Sequence, residues 1–375
     1  MGLVTALRAG VEQGVATTSN MKLILHPIEV PLRHPWTLAH GTRTVQRNVV
    51  VELRDEEAGL SGWGEAAGIP YFGVTPETLV AALESARGAV EGVPLLDPAS
   101  WWAGLALHLA EQPFAFAALD AAANDLCGKR AGVTTRRLLG LDEDEAAYPP
   151  SDFTIGLAGP DTMAAKLAER PGFPVYKVKL GSGDLGADLA RVERLRRETE
   201  VPLRVDANTG WTLAEALEAG PRLVELGVEF LEQPLPVDAP EADRRALFER
   251  SPLPIIADES CFAEGDVAGC AGSFHGVNLK PAKCGGLTPA LRMAAEARSL
   301  GLSVGVGCMT ETTVGISGTA QLLPAVDFAD LDGALLLAGD VASGVSLDAG
   351  RLRFPAGPGN GVEVDAARLA SHAGT

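Results

Sequence analysis

The chain has 375 residues, 46% of them hydrophobic, and a formal net charge of −18, so there is material for a barrel plus a second unit and no sign of widespread disorder. That acidity argues against nucleic acid as a partner, because phosphate binding needs basic surface, although a local site can differ in sign from the whole. Five cysteines (Cys127, Cys261, Cys270, Cys284, Cys308), odd in number and without C-x-x-C spacing, argue against a disulfide framework or a structural zinc site and point to a reducing, cytoplasmic setting.

Residues 1–20 lack the long apolar core of a signal peptide, and Ala6 breaks the myristoylation pattern. They are expected to form a disordered extension outside the fold, and no later segment reads as a membrane span. From Met21 to about Leu60, the alternating runs KLILHPIEVPL and NVVVELRDEE read as antiparallel strands joined by a long loop, RHPWTLAHGTRTVQR. GLSGWGEAAG adds a third strand, and PETLVAALESARGAV and PFAFAALDAAANDLCGKRAG are alanine-rich helices. Together they make an α+β unit over residues 21–147, completed by C-terminal residues from about 340 to 375.

From Tyr148 strands alternate with helices. DFTIGL, VYKVKL, PLRVDA, EFLEQP, PIIADE, GVNLK, LSVGVG and FADLDG are eight short apolar candidates within residues 148–339. Eight strands in βα alternation call for a closed parallel barrel of the TIM type. The competing doubly wound sheet would carry G-x-G-x-x-G after its first strand, and none is present.

In VYKVKL, Lys177 and Lys179 point the same way. A lysine-guarded edge strand is the plain reading, but a closed barrel has no edge. The next three strands end in Asp206, Glu232 and Asp258, each 26 residues after the last. One acid per repeat puts three carboxylates side by side at the carboxyl ends of neighbouring strands, where barrel enzymes hold their chemistry. Any one of them could be a helix cap; three in register, one a Glu, fit that reading poorly. Buried together they need a counter-charge. A divalent cation with an oxygen shell supplies it, and Mg²⁺, one per subunit, fits better than zinc because no histidine ends these strands. Lys280 ends the sixth strand, 22 residues past Asp258, and faces Lys179 across the mouth. Lys283 is the other claimant to that position and is expected out in the following loop.

KVK, DAN, EQP, ADES and NLKPAKCGG, in this order and with GWGEA near the start, resemble the enolase superfamily in its muconate-lactonising subgroup, from about Met21 to the C-terminal region. The resemblance implies an α/β fold, a TIM-type (β/α)7β barrel with an N-terminal α+β capping domain. It also implies removal of a hydrogen α to a carboxylate, a very weak acid whose enediolate a Mg²⁺ stabilises; sites of this superfamily pair a lysine or histidine base with Mg²⁺. A lysine base must be partly neutral, so its usual pKa of about 10.4 has to fall, and neighbouring cations act in that direction. Lys179 and Lys280 are the expected acid/base catalysts, with Lys177 as electrostatic helper and contact for the substrate carboxylate, and Asn208 and Glu259 around the metal ligands. A base on each face of one α-carbon permits racemisation or epimerisation, though the same pair also serves elimination and cycloisomerisation. The seventh strand, VGVGCM, lacks the histidine base of the mandelate-racemase branch, and DFTIGL lacks the H-x-H of metal-dependent barrel hydrolases.

On the eighth strand Asp330 and Asp332 share a face. An Asp before Gly333 is ordinary turn chemistry, but two carboxylates aimed into a site would repel dicarboxylate substrates and attract an ammonium. A D-x-D here, after GCMTETTVGIS, resembles the dipeptide epimerases of the superfamily, in which the pair holds the α-ammonium and exchange occurs at the C-terminal residue. The expected activity is therefore Mg²⁺-dependent epimerisation of dipeptides. An N-acylamino-acid racemase or o-succinylbenzoate synthase is the rival, for which both aspartates would be dispensable; a non-catalytic binding barrel is the remote one. The Pro35–Val45 loop is expected to fold over the mouth, with Trp36 offering an apolar contact and Arg43 an anionic one. Thr154 and Met309 complete the expected substrate contacts, and His34 and His40 read as solvated loop residues. The expected partner is a small dipeptide rather than nucleic acid or membrane, with homo-oligomerisation left open.

Overall fold

The computed structural model describes residues 21–38 and 41–374; of residues 36–38, 41 and 42 it describes the backbone only. The expectations for residues 1–20, for His40 and for the Trp36 side chain lie outside the described residues. Three strands, β1 (Met21–Leu38), β2 (Gly41–Asp55) and β3 (Leu60–Ala67), form an antiparallel sheet in that order. The segment expected to be a long loop is instead the outer part of the β1–β2 hairpin. Pairing breaks between Pro31 and Trp36 and resumes at Trp36 opposite Arg43, Thr37 opposite Thr42 and Leu38 opposite Gly41. Pro27 and Pro31 fall in the run read as a strand and Pro35 in the segment read as a loop; β1 takes all three because it is an edge strand, where prolines are tolerated and a register shift absorbs the misfit.

Helices Pro76–Gly92, Pro98–Leu109 and Pro113–Ala131 cover this sheet. Thr75 and Asp97 cap the first two by accepting backbone N–H groups. The third lies so close to β3 that a Cβ at Gly64 would stand 2.0 Å from the Ala118 carbonyl oxygen. The glycines of SGWGEA therefore set the depth of that contact.

Eight parallel strands follow: β4 (Phe153–Ile155), β5 (Tyr176–Lys179), β6 (Leu203–Asp206), β7 (Val228–Glu232), β8 (Ile255–Ala257), β9 (Gly276–Leu279), β10 (Ser303–Gly307) and β11 (Phe328–Asp330). Each pairs with its neighbour in sequence, and the seam between β11 and β4 is held by a bridge from Ser151 to Ala329 and by the Leu331 N–H on Ser151 Oγ at 2.8 Å. The result is a nearly closed (β/α)7β barrel with an N-terminal capping domain. Phe230, Ile256 and Phe328 cluster inside it, with the Arg204 guanidinium near both phenyl rings and 2.9 Å from Asp152. Beyond β11 the chain returns to the first sheet: Leu32 bridges to Leu337 and Ile28 to Ala373, over an apolar cluster that includes Val50, Val341 and Val362. Among the described residues no helix is long and apolar enough to cross a membrane.

Candidate active site

Strand register assembles the site. Lys179 lies opposite Asp206, and Asp206 opposite Glu232, while Asp258 follows the end of β8 directly. Oxygens of Asp206, Glu232 and Asp258 come within 4.8 Å of one another, all three residues buried. Two hard carboxylates and a third from an adjacent strand, with no nitrogen or sulfur among them, suit a divalent cation that takes oxygen ligands and keeps places for water or substrate. The three lysines named from sequence are here too. Lys177, 1% exposed, places Nζ 2.9 Å from Glu232, 2.8 Å from Asp330 and 3.3 Å from Asp206. Lys179 Nζ lies 2.5 Å from Asp206 Oδ2, and Lys280 Nζ lies 2.7 Å from Asp258 Oδ2.

Lys283 departs from its expected place. It is buried, not out in a loop, and its ammonium donates to Asp258 Oδ1 at 2.6 Å and to the Asp258 carbonyl. Pro281 starts a one-turn helix, Pro281–Cys284, immediately after Lys280, and a residue three positions on in a helix returns to the same side. The K-x-x-K spacing carried that information.

Burial acts against every charge here, and the partners decide the outcome. Asp258 is held well below the usual carboxylate range because Lys280 and Lys283 outweigh its burial, and Asp206 is lowered likewise by Lys179 and Lys177. Glu232 goes the other way: burial raises it more than Lys177 lowers it. Burial pulls the Lys280 ammonium down but Asp258 overrides it, so its pKa stands above the ordinary lysine value. The sequence expectation of a lowered value rested on neighbouring cations; Lys177 acts in that direction here and Asp258 outweighs it.

Asp330 and Asp332 converge on Thr154. The Thr154 N–H donates to Asp332 Oδ2 at 2.6 Å, and its hydroxyl lies 3.3 Å from Asp330 and 3.4 Å from Asp332. Burial pushes Asp332 up to about 7, helped by the Asp330 charge. Burial also acts on Asp330, but Lys177, Lys280 and Lys179 hold it below its ordinary value. Two adjacent carboxyls are thus set apart, one firmly ionised and one titrating near neutrality.

Around the ligands, the Asn208 N–H donates to Asp206 Oδ1 at 2.9 Å and its side-chain amide to Glu259 at 3.3 Å. Glu259 is pushed up to about 7 by burial and by Asp258. Two further residues went unread in the sequence. Asn278 on β9 donates to Glu232 Oε1 at 3.0 Å, and Gln233, with a φ of 35°, accepts the Asp258 and Ser260 N–H groups at 3.0 and 3.1 Å. The motifs EQP and NLKPAKCGG contain Gln233 and Asn278, but neither was given a role there.

The expected cap contacts are less direct. Arg43 donates to Gln46 Oε1 at 2.8 Å, at the head of a relay through Asn48 to Glu65, so it serves the capping sheet. Met309 is buried in the capping domain's apolar cluster. Glu65, from GWGEA, accepts the Thr312 hydroxyl and the Thr312 and Gly315 N–H groups, tying the capping sheet to the segment after β10. Half-exposed Tyr71, unmarked in sequence, feels Lys280 and Asp258, and burial pushes it up to about 12.

Comparison with known proteins points to one superfamily, whose similar solved structures include muconate lactonizing enzymes as well as dipeptide epimerases. Residues 161–368 match the family described as "Enolase C-terminal domain-like" and residues 21–140 that described as "Mandelate racemase / muconate lactonizing enzyme, N-terminal domain". The chain is 44% identical over 342 residues to an L-Ala-D/L-amino acid epimerase of Flavobacterium johnsoniae, covering 91% of this chain and 99% of that protein. It is 40% identical to an L-Ala-D/L-Glu epimerase of Bacteroides thetaiotaomicron, covering 91% and 88%. Among solved structures, the dipeptide epimerase from Enterococcus faecalis, complexed with Mg and L-Leu-L-Tyr, superposes with a TM-score of 0.85 at 31% identity, covering 92% of this chain and 99% of that one. The dipeptide epimerase from Methylococcus capsulatus, complexed with Mg and L-Arg-D-Lys, gives 0.82 at 33%, covering 92% and 100%. With both family regions matched in order and relatives above 40% identity along nearly its whole described length, the chain belongs to the enolase superfamily.

Proposed function

We propose that this protein is a Mg²⁺-dependent dipeptide epimerase that exchanges the α-proton of the C-terminal residue. The observation that carries the reading is the placement of Lys179 and Lys280, from strands four apart in the ring, on either side of one carboxylate triad, with the Asp330–Thr154–Asp332 group beside them. Asp206, Glu232 and Asp258 would hold the cation, one per subunit, and their all-oxygen donor set fits it. When bound, it supplies Lewis-acid stabilisation of charge developing on the substrate carboxylate. One lysine removes the α-proton from its face, and the other delivers a proton to the opposite face. Lys177 neutralises the triad from the barrel axis and meets the substrate carboxylate; Asn208 and Glu259 hold the surrounding loops. Asp330 and Asp332 take the α-ammonium, and Met309 and Arg43 contribute to the wall where the segment after β10 meets the cap. The same reading divides the chain into a capping unit, residues 21–147 with 340–375 returning to it, and a barrel, residues 148–339. This division is supported by the bridge from Ile28 to Ala373 and by the packing of Val341 and Val362 with Ile28 and Val50.

The test is deuterium incorporation. Incubated with Mg²⁺ and L,L-dipeptides in D₂O, the protein is expected to add one deuteron at the C-terminal residue, and EDTA is expected to stop it. Exchange in N-succinyl or N-acetyl amino acids alone would overturn the dipeptide reading and leave the lysine and metal roles standing.

A pH dependence follows from Asp332. Ionised above about 7, it adds a second carboxylate for the substrate ammonium; protonated below, it withdraws that charge. A hydrogen bond between charged groups is worth about 1.5–3 kcal/mol, and a single carboxyl titrating near 7 loses about nine-tenths of its ionised form between pH 8 and 6, so KM should rise roughly 5- to 10-fold over that range. Asp332→Asn should show the high KM at both ends. A KM that is flat across this range in the unmodified protein would refute the assignment.

A further inference from the structure

A hollow open to solvent lies beside the Asp330–Asp332 pair. Thr154 belongs to both: it lines the hollow, and its amide and hydroxyl bond the two aspartates. Leu32, Phe153 and Leu335 give the hollow apolar walls, whereas Arg33, Lys166 and Arg170 contribute three cations against one acid, Glu169. This is a local inversion, since Asp and Glu outnumber Lys and Arg by 49 to 31 in the chain. Glu169, the one acid of the hollow, also meets His34 Nε2 at 2.8 Å. The Arg33 guanidinium donates to a backbone carbonyl, that of Leu335, at 3.1 Å. Among the described residues Arg33, Lys166 and Arg170 form no ion pair. Burial lowers the Lys166 pKa, and Glu169 offsets this only in part, the condition of an ammonium short of counter-charge.

We propose that this hollow is the subsite for the side chain of the substrate's N-terminal residue, and that it selects dipeptides whose N-terminal residue is acidic. The inference rests on the dipeptide reading above. An α-ammonium held between Asp330 and Asp332 puts its own α-carbon, and hence its side chain, next to Thr154. From there the apolar walls take the methylenes, and Lys166, Arg170 and Arg33 meet the carboxylate in charge-assisted hydrogen bonds. Two aspartates would then read the ammonium while the basic walls read an opposite charge a few bonds away. A neutral isostere satisfies only the first.

The experiment compares kcat/KM for deuterium exchange at the C-terminal alanine of L-Glu-L-Ala, L-Gln-L-Ala and L-Lys-L-Ala, at low and high salt. The Glu peptide is expected to exceed the Gln peptide at least tenfold, with the Lys peptide lowest and the margin shrinking as salt screens the open rim. Lys166→Glu combined with Arg170→Glu should reverse the order of the Glu and Lys peptides; Lys166→Gln and Arg170→Gln singly should each narrow the gap, should the double variant fold poorly. Equal values for the Glu and Gln peptides, both exchanging in the unmodified protein, would overturn the subsite and leave the dipeptide reading intact. Absence of exchange in every dipeptide, with N-acyl amino acids exchanging, would overturn both.

Discussion

Lys179→Ala and Lys280→Ala are each expected to slow epimerisation by about 100- to 10,000-fold, the range for loss of one positioned acid or base. The informative result is stereochemical. The two ammonium groups come from β5 and from the residue after β9, four strands apart in the ring, and bond different members of the triad. In the proposed mechanism each serves one face of the same α-carbon. Deprived of one lysine, the protein can still remove and return a proton on the other face, so each variant should exchange deuterium into only one epimer without converting it. The two variants should act on opposite epimers. Lys283→Ala should behave differently, because that ammonium is turned onto both the carboxylate and the carbonyl of Asp258. It should weaken Mg²⁺ binding, measured calorimetrically, and leave exchange in both epimers at saturating metal. If Lys179→Ala and Lys280→Ala exchanged the same epimer, or if Lys283→Ala alone removed one face, the acid/base assignment would fail.

The barrel and its triad were legible because their signals are periodic. One acid at the same point of successive βα repeats survives any uncertainty over where a strand ends, and parallel pairing converts equal spacing into adjacency. Lys177 and Lys179 were legible from the two-residue period of a strand. Lys283 was misplaced because a glycine-flanked PAKC looks like a loop until Pro281 is read as the first residue of a helical turn. Only the outer part of the hairpin was read as a loop, because nothing in RHPWTLAHGTRTVQR said that pairing resumes at Trp36 opposite Arg43. Arg43 shows a different limit. It was read as reaching over the mouth, but its partner Gln46, three residues on, binds the guanidinium within the cap. The hollow beside Thr154 was unreadable for a related reason. It joins residues from β1, from the helix after β4 and from the segment after β11, and no single stretch carries the charge pattern.

Lys177→Met is expected to destabilise the protein by about 3–5 kcal/mol in the absence of divalent cation, the usual result of removing one partner from a buried ion pair. The side chain is 1% exposed and touches Glu232, Asp330 and Asp206 at once; methionine keeps its length but not its charge. With about 2.1 cal/mol/K of unfolding entropy per residue, the loss corresponds to roughly 4–6 °C in melting temperature. Mg²⁺ should restore part of it, because Asp206 and Glu232 belong to the candidate triad while Asp330 does not. The deficit should also depend on pH in a definite sense. Without Lys177 the buried carboxylates, Glu232 first because burial already holds it above its ordinary value, have folded-state pKa values above their unfolded ones. Such a group leaves stability intact below the unfolded pKa of about 4 and erodes it as pH rises through the folded value. The difference between variant and parent should therefore be smaller at pH 5 than at pH 8. Lys177→Arg should not rescue the loss, since a guanidinium is bulkier than the ammonium and this position has no free surface to receive it. A variant as stable as the parent in EDTA at pH 8 would show that the three carboxylates do not depend on Lys177, and would leave its place at the centre of the site without an energetic reason.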